Sequence, residues 1–311
     1  MTTTIAVRPD SGRHRNGSRR GPTHAVARGT WPFLLPAIVA SLALVVVPLF
    51  FTLWLSVSDA RPDGSNHGWV GFANFAQMLA DPVFWQSIRV TGFLFITCLI
   101  IETVVGILLG YLLSLDVPGR VFMQSLILIP AITAPVAIGL LWSLIFDPTL
   151  GAANEILRAI GIGPVPWLGD PAVAPWALVI VDAWQWTPFM ALLVSAGIRN
   201  LPEEPFEAAA VDGASRWRTA LFVGLPMLLP VITVAMLLRT VDLIRFFDSA
   251  FVMTQGGPVN STNTLNILAY REAFMNQHGS YSAAIQVSLL LLVVLVACGF
   301  MWLRKKTRYD A

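Results

Sequence analysis

The sequence has little lysine and little cysteine, and both shortages exclude kinds of chemistry. Only two of its 311 residues are lysines, Lys305 and Lys306, both close to the C-terminus. A phosphate-binding loop of the GxxxxGKS/T type is therefore excluded, and a Schiff-base lysine is not expected. Cys98 and Cys298 lie far apart in apolar segments, so we interpret them as packed thiols rather than as a disulfide or a metal site. We expect no nucleotide hydrolysis by this chain.

Histidine is also scarce, with four residues in the whole sequence. His14 and His24 lie near the N-terminus, while His67 and His278 fall in two separate loops between apolar segments. Neither pair has the spacing of a zinc site. We therefore predict no catalytic residue, no metal site and no cofactor within this chain.

Charged residues make up only 12% of the sequence and apolar residues 56%, a balance that a water-soluble domain of this length could hardly cover with polar surface. Six apolar runs are long enough to cross about 30 Å of hydrocarbon. The sequence therefore predicts an all-α integral membrane protein, a polytopic bundle of six transmembrane helices. The runs are Trp31–Val57, Trp85–Leu115, Val121–Phe146, Ala172–Ile198, Thr219–Phe247 and Tyr281–Leu303. Kinks are expected at the prolines inside them, Pro48, Pro130, Pro135, Pro188 and Pro230.

The segment before the first run, residues 1–29, carries six arginines among Gly, Ser and Pro and has no apolar periodicity. This composition predicts a disordered, basic tail. A secretory signal is the alternative, but the run from Trp31 to Val57 is about twice as long as a normal signal core and lacks a small-residue cleavage pattern. We accordingly predict a transmembrane domain over residues 30–304 and a short C-terminal tail over residues 305–311.

The arginines and lysines predict the orientation of the bundle. Six spans place both termini on one side, and that side holds 14 of the basic residues in tails and loops while the other side holds 4. Positively charged loops remain in the cytoplasm, so both termini are predicted to be cytoplasmic. The 14 are Arg8, Arg13, Arg15, Arg19, Arg20, Arg28, Arg120, Arg199, Arg216, Arg218, Arg304, Lys305, Lys306 and Arg308; the 4 are Arg61, Arg89, Arg158 and Arg271.

A polar interruption from Leu201 to Pro226 separates the fourth and fifth runs and falls on the cytoplasmic side. Prolines and glutamates at its start favour the first turn of a helix. Gly213 can end that helix, and Ser215 can cap a second one. The segment 201–218 thus predicts a cytoplasmic helix-turn-helix, which on this reasoning alone is either a surface loop or a docking site.

Charged residues recur within the fifth run at successive spacings of three: Arg239, Asp242, Arg245 and Asp248. Neighbours three apart on a helix can touch, so they predict a ladder of alternating charge. Such groups normally face a bundle interior or a water-filled cavity. Two interpretations stay open. The charges either join neighbouring helices where this helix end reaches external water, or they lie beside a substrate path.

Asp182 and Gln185 in the fourth run, and Glu102 in the second, are weaker candidates of the same kind, because each could equally fix helix packing. The eleven tryptophans do not by themselves indicate a carbohydrate site. Most of them lie near predicted membrane boundaries, where tryptophan is common.

The polar interruption also carries a specific motif: EAA, three residues, Gly, nine residues, an aliphatic residue, one residue, then Leu-Pro. It resembles the cytoplasmic loop of permease subunits of binding-protein-dependent ATP-binding-cassette importers, with Val223 as the one departure, where isoleucine is usual. The WQWTPF segment from Trp184 and the segment that follows Arg239 resemble the carbohydrate branch, typified by maltose and glycerol-phosphate permeases. The motif residues are Glu207, Ala208, Ala209, Gly213, Val223, Leu225 and Pro226.

The resemblance implies that the helix-turn-helix couples this chain to an ATPase, through Glu207, Ala208, Ala209, Asp212 and Gly213. It implies these partners: a second permease, two ATP-binding-cassette subunits that hold ATP and Mg²⁺, an extracytoplasmic solute-binding protein and membrane lipid, with no nucleic acid. The location implied is the bacterial cytoplasmic membrane.

A sugar or polyol is the implied substrate, with glycerol phosphate as the alternative. A membrane-embedded enzyme and a receptor are further alternatives that leave the motif unexplained. Hydroxyl groups suit the balanced charges of Arg239, Asp242, Arg245 and Asp248, together with Asp182 and Gln185 as candidates for the path.

Overall fold

The computed structural model describes residues 25–60, 66–115 and 118–309, and within these ranges the protein is mostly helical. The helices are α1 (Ala25–Ser56), α2 (Ala73–Ala80), α3 (Pro82–Ser114), α4 (Arg120–Ile132), α5 (Pro135–Ile145), α6 (Ala152–Ala159), α7 (Ala174–Arg199), α8 (Glu204–Val211), α9 (Arg216–Thr219), α10 (Leu225–Ile244), α11 (Asp248–Thr254), α12 (Leu265–Tyr270) and α13 (Gly279–Tyr309). Two π-helical turns, Ala220–Gly224 and Arg271–Met275, precede α10 and follow α12. Strands β1 (Ser58–Ala60) and β2 (Asn66–Trp69) form one antiparallel pair.

Five helices of the described residues are long and apolar enough to cross a membrane, which confirms the predicted membrane bundle. They are Leu34–Ser56, Pro82–Ser114, Ala174–Arg199, Arg216–Ile244 and Gly279–Trp302. The fourth of these joins α9, the π-helical turn Ala220–Gly224 and α10 without a break. A sixth span is possible only as the bent pair of α4 and α5. The predicted helices through Pro188 and Pro230 continue past those prolines.

The third predicted span, Val121–Phe146, is therefore not a single straight helix. It divides into α4 and α5, whose axes differ by 93°. Thr133 and Ala134 between them are extended, with ψ angles of 140° and 131°. A proline disfavours helical backbone in the residue before it, so Pro135 ends one helix and starts the next. The kink expected here is a complete break.

The fifth predicted span also ends early, because α10 stops at Ile244. Residues 245–247 are not helical, and α11 begins directly after them. Side chains at the start of α12 bind two of the freed carbonyl groups. Asn266 and Thr264 each donate a hydrogen bond of 3.0 Å, to the carbonyl oxygens of residues 245 and 246 respectively. This correction separates the predicted charge ladder into two parts.

The chain forms two compact units, residues up to Phe50 and residues from Phe51 onward. The first unit is most of α1, a continuous apolar helix whose side chains from Leu34 to Phe50 are nearly all exposed. The predicted basic tail lies outside the described residues up to residue 24; residues 25–29 of it are helical. In the second unit α13 extends to Tyr309, so residues 305–309 of the predicted C-terminal tail are helical too.

Two glycines one helical turn apart let α3 pack closely against α7. Gly106 and Gly110 of α3 face α7, and α3 and α7 form the most extensive helix pair of the structure. A Cβ atom on Gly106 would lie 2.5 Å from Cγ of Met190, and one on Gly110 would lie 2.7 Å from the carbonyl oxygen of Ala191. Small residues at such spacing let helix backbones approach inside a membrane. This contact fixes α3 against α7 where both carry buried charges.

Polar side chains hold the loop between α5 and α7, in addition to the apolar packing of Phe146 and Trp167. The carbonyl oxygen of the buried Asn154 side chain accepts hydrogen bonds from the Val165 amide (3.0 Å) and from Trp167 Nε1 (3.1 Å). Asp147 accepts one from the amide of Leu150 at 2.8 Å, and such bonds to its ionised form lower the pKa of Asp147. The loop is therefore an ordered part of the fold.

Candidate functional site

Three helices of the bundle meet at a buried ion cluster. Arg239 of α10 donates two hydrogen bonds to Glu102 of α3, Nε to Oε2 at 2.7 Å and Nη2 to Oε1 at 2.8 Å. The same Nη2 donates to Oδ2 of Asp182 in α7, also at 2.8 Å. The three side chains are at most 2% exposed. Buried charges persist only when they are paired and hydrogen-bonded, so this cluster fixes the relative positions of α3, α7 and α10.

The remaining face of Arg239 is also occupied. Its guanidinium carbon lies 4.7 Å from the centre of the Trp186 ring, within the range of a cation–π contact. Its Nη1 atom is 3.8 Å from Oδ2 of Asp242, whose side chain is 58% exposed. Because two carboxylates and an aromatic face already surround it, Arg239 has little positive charge to offer a ligand.

A cleft of about 370 Å³ opens beside this cluster. Its volume lies near the lower end of the roughly 300–1,000 Å³ typical of small-molecule sites. Charged, amide and aromatic side chains line it together, from α7, from the end of α10, from α11 and from the start of α5. The lining residues are Pro135, Asp182, Gln185, Trp186, Arg239, Asp242, Leu243, Arg245, Phe246, Phe247, Asp248, Ser249 and Asn266.

Both breaks in the helices border this cleft. Gln185 is buried and donates from Nε2 to the carbonyl oxygen of Thr133 at 3.3 Å, which ties α7 to the break between α4 and α5. The non-helical residues 245–247 form another part of the wall. Non-helical backbone at membrane depth is tolerated where it is buried in protein or lines a water-filled cavity. At both breaks, side chains of the protein satisfy backbone carbonyl groups that the helices leave without partners.

The structure brings all six predicted path residues to one cleft, but it does not form the predicted ladder. Only Arg239 and Asp242 lie on one helix; Arg245 follows the last turn of α10, and Asp248 begins α11. Within the described residues no ion pair joins Arg245 to Asp242 or Asp248. The spacing of three has no structural meaning beyond residue 244, because the helix ends there.

The partners of Arg239 are the point that sequence reasoning missed. The ladder paired it with Asp242, whereas its close partners are Glu102 and Asp182 from other helices. One signal was available. Glu102 and Asp182 are the only acidic residues in the second and fourth predicted spans, and a buried arginine requires acidic partners. Nothing in the sequence indicated Asn266 or Phe246 as cleft residues.

The predicted helix-turn-helix is present on a different part of the chain. Helix α8 ends in a Schellman motif, in which the amide of Gly213 donates to the carbonyl oxygen of Ala210 and the amide of Ala214 to that of Ala209. Gly213 has a φ of +74°, a left-handed conformation that favours glycine. Ser215 then caps α9 by accepting from the amide of Arg218 at 3.4 Å. We call residues 204–219 the elbow.

Many side chains of the elbow are exposed to solvent. Glu207 and Ala208 are exposed and Ala209 is half-buried. Val211 is 88% exposed and Trp217 is 67% exposed. Both side chains are therefore accessible at the surface of the described part of the chain. No elbow residue lines the cleft, so the two candidate sites are separate.

A family model described as "Binding-protein-dependent transport system inner membrane component" matches residues 102–309. The chain belongs to this family. This permease is 33% identical over 271 residues to the trehalose/maltose transport system permease protein MalF of Thermococcus litoralis. The aligned region covers 87% of this chain and 91% of that protein. It is 32% identical over 290 residues to the trehalose transport system permease protein SugA of Mycobacterium tuberculosis, covering 91% of each.

The fold of the permease also has a solved counterpart. The matching chain belongs to the crystal structure of a bacterial ABC transporter involved in the import of the acidic polysaccharide alginate. The TM-score is 0.79, and the match covers 91% of this permease and 98% of the other chain. The two are 20% identical, so this likeness concerns the fold. The predicted architecture of an importer permease is confirmed.

Proposed function

We propose that this permease forms, with a second permease subunit, the membrane path for a neutral sugar or polyol. One observation carries the proposal. The chain matches permeases named for trehalose and maltose transport over about nine-tenths of their own length. The cleft beside Arg239 is the part of the path that this chain contributes.

The lining of the cleft suits hydroxyl groups. Asp242 and Asp248 are exposed carboxylates that accept hydrogen bonds, and Asn266 and Arg245 can donate them. Trp186 and Phe247 add aromatic surface to the lining. A neutral polyhydroxylated ligand meets both kinds of group without adding a further charge to a lining that already holds several charged side chains.

The charges disfavour a phosphate ester. Arg239 is occupied by Glu102 and Asp182, so Arg245 is the one arginine of the lining without a close acidic partner among the described residues. Phosphate sites usually offer arginine forks free of competing carboxylates, whereas the lining here also contains Asp242 and Asp248. Glycerol phosphate is therefore the weaker candidate.

In this proposal the energy comes from other chains. Two ATPase subunits hold ATP and Mg²⁺, and the elbow docks into a cleft of one of them through Glu207, Ala208, Ala209, Asp212 and Gly213. The exposure of Val211 and Trp217 supports such docking, since both side chains are accessible in the part of the chain that the structure describes. Both termini and the elbow lie in the cytoplasm of a bacterial cell, and an extracytoplasmic binding protein delivers the substrate from the other side.

Uptake by cells tests this function. A strain that lacks the gene is complemented with the wild-type chain and offered radiolabelled trehalose, maltose, a polyol and glycerol phosphate separately. We expect uptake of at least one neutral compound to return with the gene, and we expect glycerol phosphate uptake to be unchanged. Uptake that returns only for glycerol phosphate, or for none of the compounds, contradicts the proposed substrate class.

A further inference from the structure

We propose that Phe206 is the positioning residue through which a movement of the elbow reaches α10 and, along α10, the cleft. This role rests on the proposed function, because the ATPase must dock at the elbow for its motion to enter there. It is independent of the solute that the permease carries.

Phe206 lies on the covered side of α8. Glu207, Ala208 and Val211 of the same helix are exposed, whereas Phe206 is half-buried. Its ring packs against Gly224, because a Cβ atom added to Gly224 would lie 3.5 Å from Cε1 and 3.7 Å from Cζ of Phe206. Gly224 itself is buried. One side of α8 is therefore open to a partner, while Phe206 holds the other side against the segment that leads into α10.

The segment that Phe206 contacts is the π-helical turn Ala220–Gly224, which joins α9 to α10. The amide of Leu225 donates to the carbonyl oxygen of Ala220, five residues back, and Pro226 has no amide to donate. Single π-helical turns are rare and occur frequently at functional sites. Sharp bends in helices are found at such turns and at prolines. This turn is therefore the place where α10 can change its direction relative to the elbow.

Two connections run from α8 to α10. The covalent one passes through the left-handed Gly213, then α9 and the π-helical turn, so the chain reverses along it. The contact between Phe206 and Gly224 is direct and avoids that reversal. Coupling between distant sites is carried by packed side chains and rigid helices. Phe206 thus gives a displacement of α8 a short route into α10.

Beyond the π-helical turn, α10 is tightly packed and leads to the cleft. A Cβ atom on Gly197 of α7 would lie 3.1 Å from Cδ2 of Leu228, so α7 and α10 are in close contact one turn after Gly224. Arg239 lies about 22 Å further along the helix than Gly224, at 1.5 Å per residue. There it binds acidic side chains of α3 and α7 and lines the cleft. A displacement at the π-helical turn is therefore transmitted to the lining of the cleft.

Labelling of a cysteine in the cleft measures this movement without a transport assay. Asp248 lines the cleft and is exposed, so Asp248→Cys is introduced into a chain in which the exposed Cys298 is replaced by serine. The complex with the partner permease and the ATPase subunits is purified, and its reaction rate with a maleimide is measured with and without a non-hydrolysable ATP analogue. We expect the analogue to change that rate by about fivefold or more, the lower end of typical coupling between two sites.

The test variant is Phe206→Ala, which removes the ring and leaves the exposed side of α8 unchanged. We expect the ATPase subunits to co-purify as with the parent chain, while most of the labelling change caused by the analogue is lost. Phe222→Ala is the matched control, because Phe222 belongs to the same π-helical turn but is 77% exposed. It should keep the full labelling change.

A second pair of variants tests the contact itself and is milder than Phe206→Ala. Phe206→Leu shortens the side chain, so we expect it to lose part of the labelling change. Gly224→Ala adds a methyl group at an ordinary van der Waals distance from this side chain. Residues in contact show non-additive effects, so Phe206→Leu together with Gly224→Ala should recover part of what Phe206→Leu alone loses.

A full labelling change in both Phe206→Ala and Phe206→Leu would overturn the proposal, and so would an equal loss in Phe222→Ala. The absence of any change in the chain that keeps Phe206, or of recovery on adding Gly224→Ala, would also contradict it. Loss of the ATPase subunits in Phe206→Ala would assign the residue to docking and overturn the role in α10. Failure of the parent chain to retain the ATPase subunits would instead contradict the proposed function, so the two failures are distinguishable.

Discussion

Replacing Gly213 tests whether the shape of the elbow matters for coupling. Its φ of +74° is a conformation that other L-residues rarely adopt, and a Cβ atom added there meets no atom within 4 Å. The cost of a substitution is therefore conformational and not steric. Left-handed backbone costs alanine roughly 1–2 kcal/mol, and asparagine tolerates it better.

Proline is the most disruptive choice at this position. Its ring fixes φ near −65° and removes the amide that donates to Ala210, at a cost of about 3 kcal/mol or more. A change of about 1.4 kcal/mol is a factor of ten in an equilibrium. We therefore expect Gly213→Asn to stay near wild type, Gly213→Ala to populate the turn about 5–30-fold less than glycine, and Gly213→Pro to lose the turn altogether.

The assay for these variants has two readouts beyond insertion into the membrane. Substrate uptake and co-purification of the ATPase subunits should both decrease in the order Gly213, Asn, Ala, Pro, while the amount of inserted subunit stays constant. Normal uptake and normal co-purification for Gly213→Pro would refute the coupling role of the elbow. Equal loss for Asn and Pro would indicate that the partner contacts this position directly, and that the turn conformation is not what matters.

Three further changes test the bundle, the path and the ordered loop. Gly110→Val should reduce the amount of folded subunit by several-fold, because its side chain would overlap the α7 backbone at Ala191. Gly92→Val in the same helix is the control, since a Cβ atom there meets nothing within 4 Å. Equal yields of the two variants would contradict the argument. Asp242→Asn should lower uptake more than the yield of assembled complex, and unchanged uptake would assign this residue to packing alone. Asn154→Ala should lower the melting temperature by a few degrees, since it removes a buried side chain with several hydrogen bonds worth about 1 kcal/mol each. An unchanged melting temperature would show that the loop between α5 and α7 does not depend on Asn154.

The membrane fold could be predicted because its signals are local. Long apolar runs, the glycine at position 213 and the cap at Ser215 each determine backbone structure within a few residues of themselves. The helix-turn-helix was therefore predictable as a structure, and the EAA motif connected it with a known family.

The cleft was only partly predictable because it depends on contacts between distant segments. Arg239 and Asp242 were identified as candidates, but the end of α10 depends on Thr264 and Asn266, whose side chains bind the carbonyl groups of residues 245–246. Propensity within the run favours continuing the helix through those residues. The partners of Arg239 likewise come from helices more than 50 residues away in sequence, and no periodicity within one helix shows them.

Transport by the reconstituted complex tests the central claim most directly. The permease, its partner permease, the ATPase subunits and the binding protein are placed in liposomes, with the binding protein outside and ATP with Mg²⁺ inside. We predict that a neutral sugar retained by the binding protein accumulates only when ATP is present, and that accumulation is lost with Gly213→Pro but not with Gly213→Asn. Accumulation without ATP, or equal accumulation in the wild type and in Gly213→Pro, would contradict the account.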